Sequence, residues 1–241
     1  MQDEQCVEGY VKIVPLWNYI DASVSGAYTS PMPQSRMNEL FDLAEANDGL
    51  FTAKQAREKG IKDSVLARLA QRGRLARTAR GVYRIAHYPA DRFAQYREAV
   101  LWAQASHHGP AQIALSHETA LLIYGISDAN PAKVHLTVPK RARLRREKPG
   151  WIVIHRAALA PDEITEHEAI PVTSPERTIM DVLKTSHRVD LARQAITDAR
   201  REGFLNSEQA ARLRQQINRY SREVVRGINK ERTIHREPKA S

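Results

Sequence analysis

The sequence predicts a mixed α/β (α+β) protein, with a small helical unit ending in a hairpin followed by a larger half in which helices and strands alternate. Three observations predict it. Two short helical patterns flank Gly60 between Phe51 and Arg72; a basic hairpin pattern follows at once, from Arg74 to Ile85; and beyond Asp91 segments with helical and strand periodicity take turns. The first two, in that order, make a winged helix-turn-helix, followed by a mixed α+β C-terminal domain.

Each element has a local cause. Asn38 to Asn47 reads as an amphipathic helix, with Leu40, Phe41, Leu43 and Ala44 available to cover the helix-turn-helix and Gly49 as its stop. Thr52 and Gln55 form a capping-box pair that fixes the start of the next helix, and Gly60 ends it. The second helix starts at Lys62 or Asp63; Val65, Leu66 and Leu69 share its buried face, while Ser64, Ala67, Arg68 and Gln71 point away. Gly73 closes it. Arg74 to Thr78 and Val82 to Ile85 then read as the two strands of the wing, turning through Ala79, Arg80 and Gly81.

Charge indicates a partner. From Lys62 to Arg84 the bases are Lys62, Arg68, Arg72, Arg74, Arg77, Arg80 and Arg84, against the single acid Asp63. One-sign charge of this density repels itself but attracts a polyanion and gains from counterion release, so double-stranded DNA is the expected partner. The second helix of such a motif enters the major groove, which makes Arg68 and Gln71 the base-reading candidates. Ser64 is a third, although a serine near a helix start can bond the backbone instead. Arg72, Arg74, Arg77 and Arg80, with Thr78 beside them on the strand, are placed for phosphate contact. The competing reading is an ordinary solvated basic face.

Residues Met37 to Ile85, through FTAKQAREKGI and SVLARLAQRGRLARTARGVYRI, resemble the N-terminal winged helix of the AbiEi-type antitoxins of type IV toxin-antitoxin systems. LSHETALLIYGI at 115–126, VHLTVPKR at 134–141 and IPVTSPERTIMDVL at 170–183 are similar to the C-terminal domain of the same family. The resemblance implies a transcriptional repressor that binds its own operon promoter, at inverted repeats, and counteracts a nucleotidyltransferase-type toxin. Direct contact with that toxin stays open.

Composition sets outer bounds. The 241 residues suffice for two ordinary domains, an apolar share of 42% is that of a globular chain, and the formal charge of +9 suits a nucleic-acid partner. Cys6 is the sole cysteine, which excludes an internal disulfide and fits a reducing cytoplasm; no apolar run reaches membrane-span length, and with Asp3 and Glu4 at its start and Lys12 alone the N-terminus is not expected to act as a secretion signal.

The expected domains are an N-terminal extension at 1–36, the winged helix at 37–88, the C-terminal domain at 89–217 and a basic, flexible tail at 218–241. Within the extension, VKIVPLWNYI reads as a strand and SGAYTSPMPQS as a linker, and Met37 is a candidate translation start. In the second half a helix from Asp91 to Ser106 shows Phe93, Tyr96, Val100 and Ala103 on one side. Ser116 should cap a helix that Gly125 ends. Val134 to Val138 and Trp151 to His155 should be a strand and its return, joined by the basic segment KRARLRREKPG, which reads as a second DNA contact, a receiver for another acidic partner, or a mobile, solvated hairpin loop. Ser174 with Pro175 starts another helix, one from Asp190 ends at Gly203, and Asn206 with Gln209 caps the last, through Ile217.

No catalytic residue, cofactor or metal is expected. His117 and Glu118 fit a helix start, His107 and His108 are adjacent, and His135 and His155 could face one another on neighbouring strands, but no carboxylate stands at zinc-site spacing. Glu176, Arg177 and Asp181 read as an intrahelical ion pair beside a cap. The alternative function is a nucleic-acid-processing, nuclease-like enzyme docking through the winged helix. It would need clustered carboxylates, whereas Asp128, Asp162, Glu163, Glu166, Glu168 and Asp181 are scattered in sequence.

Overall fold

The computed structural model describes residues 34–107 and 112–234; the strand and linker expected before Gln34, and His108, lie outside them. Helix α1 (Gln34–Glu45) begins before Asn38 and buries Leu40 and Ala44 completely. Its end turns sharply through Asp48 and Gly49, where a Cβ on Gly49 would stand 2.5 Å from the Tyr88 ring, so only glycine allows that approach.

Next come β1 (Leu50–Thr52), α2 (Ala53–Glu58), α3 (Asp63–Gln71), β2 (Leu75–Ala79) and β3 (Val82–Ile85). The Thr52/Gln55 capping box forms as expected: the Thr52 amide donates to Gln55 Oε1 at 2.7 Å and the Gln55 amide to Thr52 Oγ1 at 3.2 Å. Strand β1 is a difference from expectation. It pairs antiparallel with β3, giving a three-stranded wing sheet in the order β1-β3-β2, and Phe51 stacks on Tyr83 at 5.9 Å. Three residues, all buried, are too few to show alternation in sequence.

Helix α4 (Ala94–Ser106) starts later than expected and buries far more than one side, with Arg97, Leu101 and Trp102 covered as well as Val100 and Ala103. The reason is its place. It packs on the wing sheet and on the second sheet at once, so Leu50 and Val82 share one continuous core with Trp102, Leu136 and Val172. Arg97 ties the same junction. Its guanidinium meets Asp48 after α1 at 2.8 Å and Asp91 before α4 at 2.8 Å, and donates to the Glu168 carbonyl at 3.1 Å.

The second sheet contains β4 (Ala114–Leu115), β5 (Val134–Val138), β6 (Ile152–Arg156), β7 (Ile164–His167) and β8 (Ile170–Thr173), in the order β6-β5-β4-β8-β7. Strands β5 and β6 are parallel, not a strand and its return. The thirteen residues at 139–151 are long enough for the crossover that parallel pairing demands. That basic segment is a largely exposed loop but not a hairpin, and it is anchored: Ala142 is buried, the Arg145 amide donates to the Ser106 carbonyl at 3.1 Å, and Arg156 donates to the Ala142 carbonyl at 2.6 Å.

Helices α5 (His117–Tyr124), α6 (Pro175–Ser186), α7 (Val189–Arg201) and α8 (Ser207–Ile234) complete the fold. Ser174 caps α6 by accepting from the Arg177 amide, and Asn206 and Gln209 exchange 2.8 Å bonds at the start of α8. Ser116 sits at the N-cap of α5 but bonds no backbone amide of that helix, because its hydroxyl is engaged with Thr137 and His117. Helix α8 runs on to Ile234 rather than ending near Ile217.

Candidate nucleic-acid interface

Helix α3 splits cleanly into two faces. Leu66 and Leu69 are buried, Val65 is half-buried, and Ser64, Ala67, Arg68 and Gln71 are exposed. A spacing of three to four residues puts Ser64, Arg68 and Gln71 along a single outward row. The one acid on the helix, Asp63, is held by Arg57 of α2 at 2.9 Å, which removes its charge from the surface balance.

The wing continues this surface. Arg72 and Arg74 are exposed in the turn after α3, Arg77 is exposed on β2, and Arg80 is exposed at the tip. Thr78 differs from the other seven candidates. It occupies a register shift in β2, and its hydroxyl is buried beside the carboxyl of Glu98 on α4, a carboxyl that burial pushes up. Ser64, Arg68, Gln71, Arg72, Arg74, Arg77 and Arg80 thus share solvent exposure, while Thr78 faces inward.

One further contact spans the fold. Arg146, from the basic crossover, donates a hydrogen bond to the Arg80 carbonyl at the wing tip, and the Gly81 backbone lies against its guanidinium, which a Cβ there would push aside. Burial and then the charges of Arg57, Arg80 and Arg77 lower the Arg146 pKa from its ordinary value. The crossover thus adds the Arg146 guanidinium to the basic surface at the wing tip. The signal in sequence was only the density of basic residues at 140–148; its placement required the parallel topology.

The C-terminal half contains two further groupings. Glu163 and Asp181 are brought together on Arg177, at 2.9 and 2.8 Å, beside a cleft of about 740 Å³. The Arg177–Asp181 pair spans one helical turn of α6, as the ion-pair reading expects; burial holds the Asp181 carboxyl above its usual range even so, while the Ala160 amide and Arg177 hold Glu163 below its own. With a guanidinium between them these carboxylates are engaged as an ion-pair network. Separately, His117, His135 and His155 converge, each offering a ring nitrogen within 4.8 Å of the others. Burial, reinforced by the neighbouring imidazoles, lowers His117 to about 3 and His155 to about 4, and burial lowers His135 too. His117 does open α5, as its sequence context implies, and nothing in its spacing from the two strand histidines signals the convergence.

A helix-turn-helix with an arginine-bearing second helix and a basic wing defines the N-terminal part as a winged helix-turn-helix regulator. The family model "Transcriptional regulator, AbiEi antitoxin" matches residues 38–86, and that of the "AbiEi antitoxin C-terminal domain" matches residues 111–195. The chain belongs to the AbiEi antitoxin family, and its class is that of a DNA-binding regulator with an antitoxin role. No curated protein matches it. The crystal structure of the RV2827C protein from Mycobacterium tuberculosis is similar over 76% of this chain and 72% of its own, with 14% identity and a TM-score of 0.45. No helix among the described residues is long and apolar enough to cross a membrane.

Proposed function

We propose that this protein is the antitoxin of a type IV toxin-antitoxin system that represses its own operon in the cytoplasm and counteracts a nucleotidyltransferase-type toxin. The observation that carries the DNA-binding part is the exposed row Ser64, Arg68 and Gln71 on α3, flanked by Arg72, Arg74, Arg77 and Arg80 and joined at the wing by Arg146. In this reading Arg68 and Gln71 meet base edges in the major groove, Ser64 contributes at the helix start, and the remaining arginines hold phosphates. Thr78 acts from within, supporting the bulge that aims Arg77 and Arg80. The winged helix at 37–88 is the reading unit and 89–217 the antitoxin unit.

The chain performs no catalysis in this proposal. Its binding to the DNA upstream of its own gene, measured by fluorescence anisotropy against a shuffled duplex, should be specific and should weaken steeply as salt rises. Equal affinity for both duplexes would overturn the repressor assignment. DNA incubated with the protein and magnesium should remain intact, and co-expression should restore growth to cells carrying the toxin.

A further inference from the structure

The three histidines belong to β5, β6 and the start of α5, outside the winged helix, and share one face of the second sheet. Because the parallel register opposes His135 to Val153 and Thr137 to His155, strand alternation puts all four residues on one face of the sheet. Helix α5 delivers His117 onto that face as its first residue, in a left-handed backbone conformation (φ 55°) that a side-chain-bearing residue adopts only at a cost. His117 is 6% exposed, whereas His135 and His155 are half-buried and reachable from solvent.

The spacing of the two strand histidines is that of a hydrogen bond and is also compatible with shared ligation. His155 Nε2 and His135 Nδ1 are 3.1 Å apart. Two nitrogens bound to one zinc ion at its usual bond length stand roughly 2.9–3.4 Å apart, depending on the coordination angle. On His117, Nδ1 is 2.9 Å from Ser116 Oγ, which Thr137 Oγ1 also contacts at 2.8 Å, and Nε2 is 3.1 Å from Thr185 Oγ1. A metal-bound histidine characteristically donates its other ring N–H to a fixed oxygen, and Ser116 Oγ is such an oxygen for Nδ1, leaving Nε2 as the ligand atom.

We propose that His117, His135 and His155 form a binding site for a single divalent transition-metal ion of the imidazole-preferring class, zinc foremost, with its fourth position open to water. Three nitrogen donors with no thiolate or carboxylate among them suit zinc, nickel or copper and not the hard ions magnesium or calcium. His117 now lies flat on His155, with ring centroids 3.5 Å apart and planes 17° apart, so binding turns its ring out of the stack and exchanges the Thr185 contact for the ion. The ion would link α5 to β5 and β6, the two strands that flank the basic crossover.

The test uses the full chain, free of any polyhistidine tag and stripped of metal by a chelator. Cobalt(II) should give a visible ligand-field absorption saturating at one ion per chain and displaced by zinc, and zinc should raise the melting temperature. His135→Gln and His155→Gln should each lower zinc affinity by about 100-fold or more, and Ser116→Ala by about 10-fold with the stoichiometry kept. His87→Gln, on an exposed turn, should change nothing. Nitrogen NMR of the unaltered chain supplies a measurement independent of variant folding: zinc should shift the imidazoles of these three residues and no others. Absence of cobalt absorption, absorption that survives both strand-histidine changes, or zinc shifts on other histidines would each overturn the site. None of these readouts depends on DNA binding.

Discussion

Two pairs of arginines in this molecule, Arg68 with Arg77 and Arg97 with Arg177, live in opposite surroundings. In the winged helix, Arg68 and Arg77 stand exposed, and among the described residues no carboxylate pairs with either. Around α4 and α6, Arg97 and Arg177 are largely buried, and each is gripped by two carboxylates. The side chain is the same and its job is set by the acids the fold brings to it. A guanidinium supplied with its own counter-charges fastens elements together, whereas one without them keeps its charge available to an external anion.

The comparison breaks most visibly at the junction. Arg97→Ala removes the shared partner of Asp48 and Asp91, the bond to the Glu168 carbonyl and a buried stem, and should destabilise the protein by about 2 kcal/mol in urea unfolding; a loss no larger than that of an exposed arginine would erase the distinction. On the other side, Arg68→Ala should leave unfolding unchanged within about 0.5 kcal/mol and cost about 1–3 kcal/mol on the cognate duplex alone. Arg77→Ala should instead weaken every duplex alike and reduce the slope of log K against log salt by about 1. Matching losses from Arg68→Ala and Arg77→Ala on cognate and random DNA would show that the two do not divide the work. The smallest expected effect is at the wing tip. Gly81 has φ +80° and touches the Arg146 guanidinium, so Gly81→Ala should cost about 1 kcal/mol in stability and displace Arg146 from the Arg80 carbonyl. Its salt slope on DNA should then flatten slightly, and unchanged titrations would remove Arg146 from the interface.

The winged helix was legible because its determinants are local. Thr52 with Gln55, and the split between Leu66 or Leu69 and Arg68 or Gln71, are decided within one or two turns, and the structure repeats them. Features made by distant pairing were not legible. Strand β1 exists because β3 lies beside it, β4 is two residues long, and β5 and β6 each have a strand pattern that is silent on parallel against antiparallel. The burial of α4 on several sides follows from a second sheet that no periodicity within the helix announces. The same holds at the sites: the outward row on α3 could be found by counting residues, but Arg146 at the wing and His117 beside His155 depend on how a crossover and a helix start are laid over the sheet.

The shared packing of α4 limits how this protein can be divided or recombined. Trp102, Leu50 and Val82 belong to one apolar mass, so a fragment severed near Pro89 would present Leu50 and Val82 to water without their cover. A chimaera that grafts this DNA reader onto another effector must therefore carry α4, with Arg97 on it, and offer that helix a second surface to lean on.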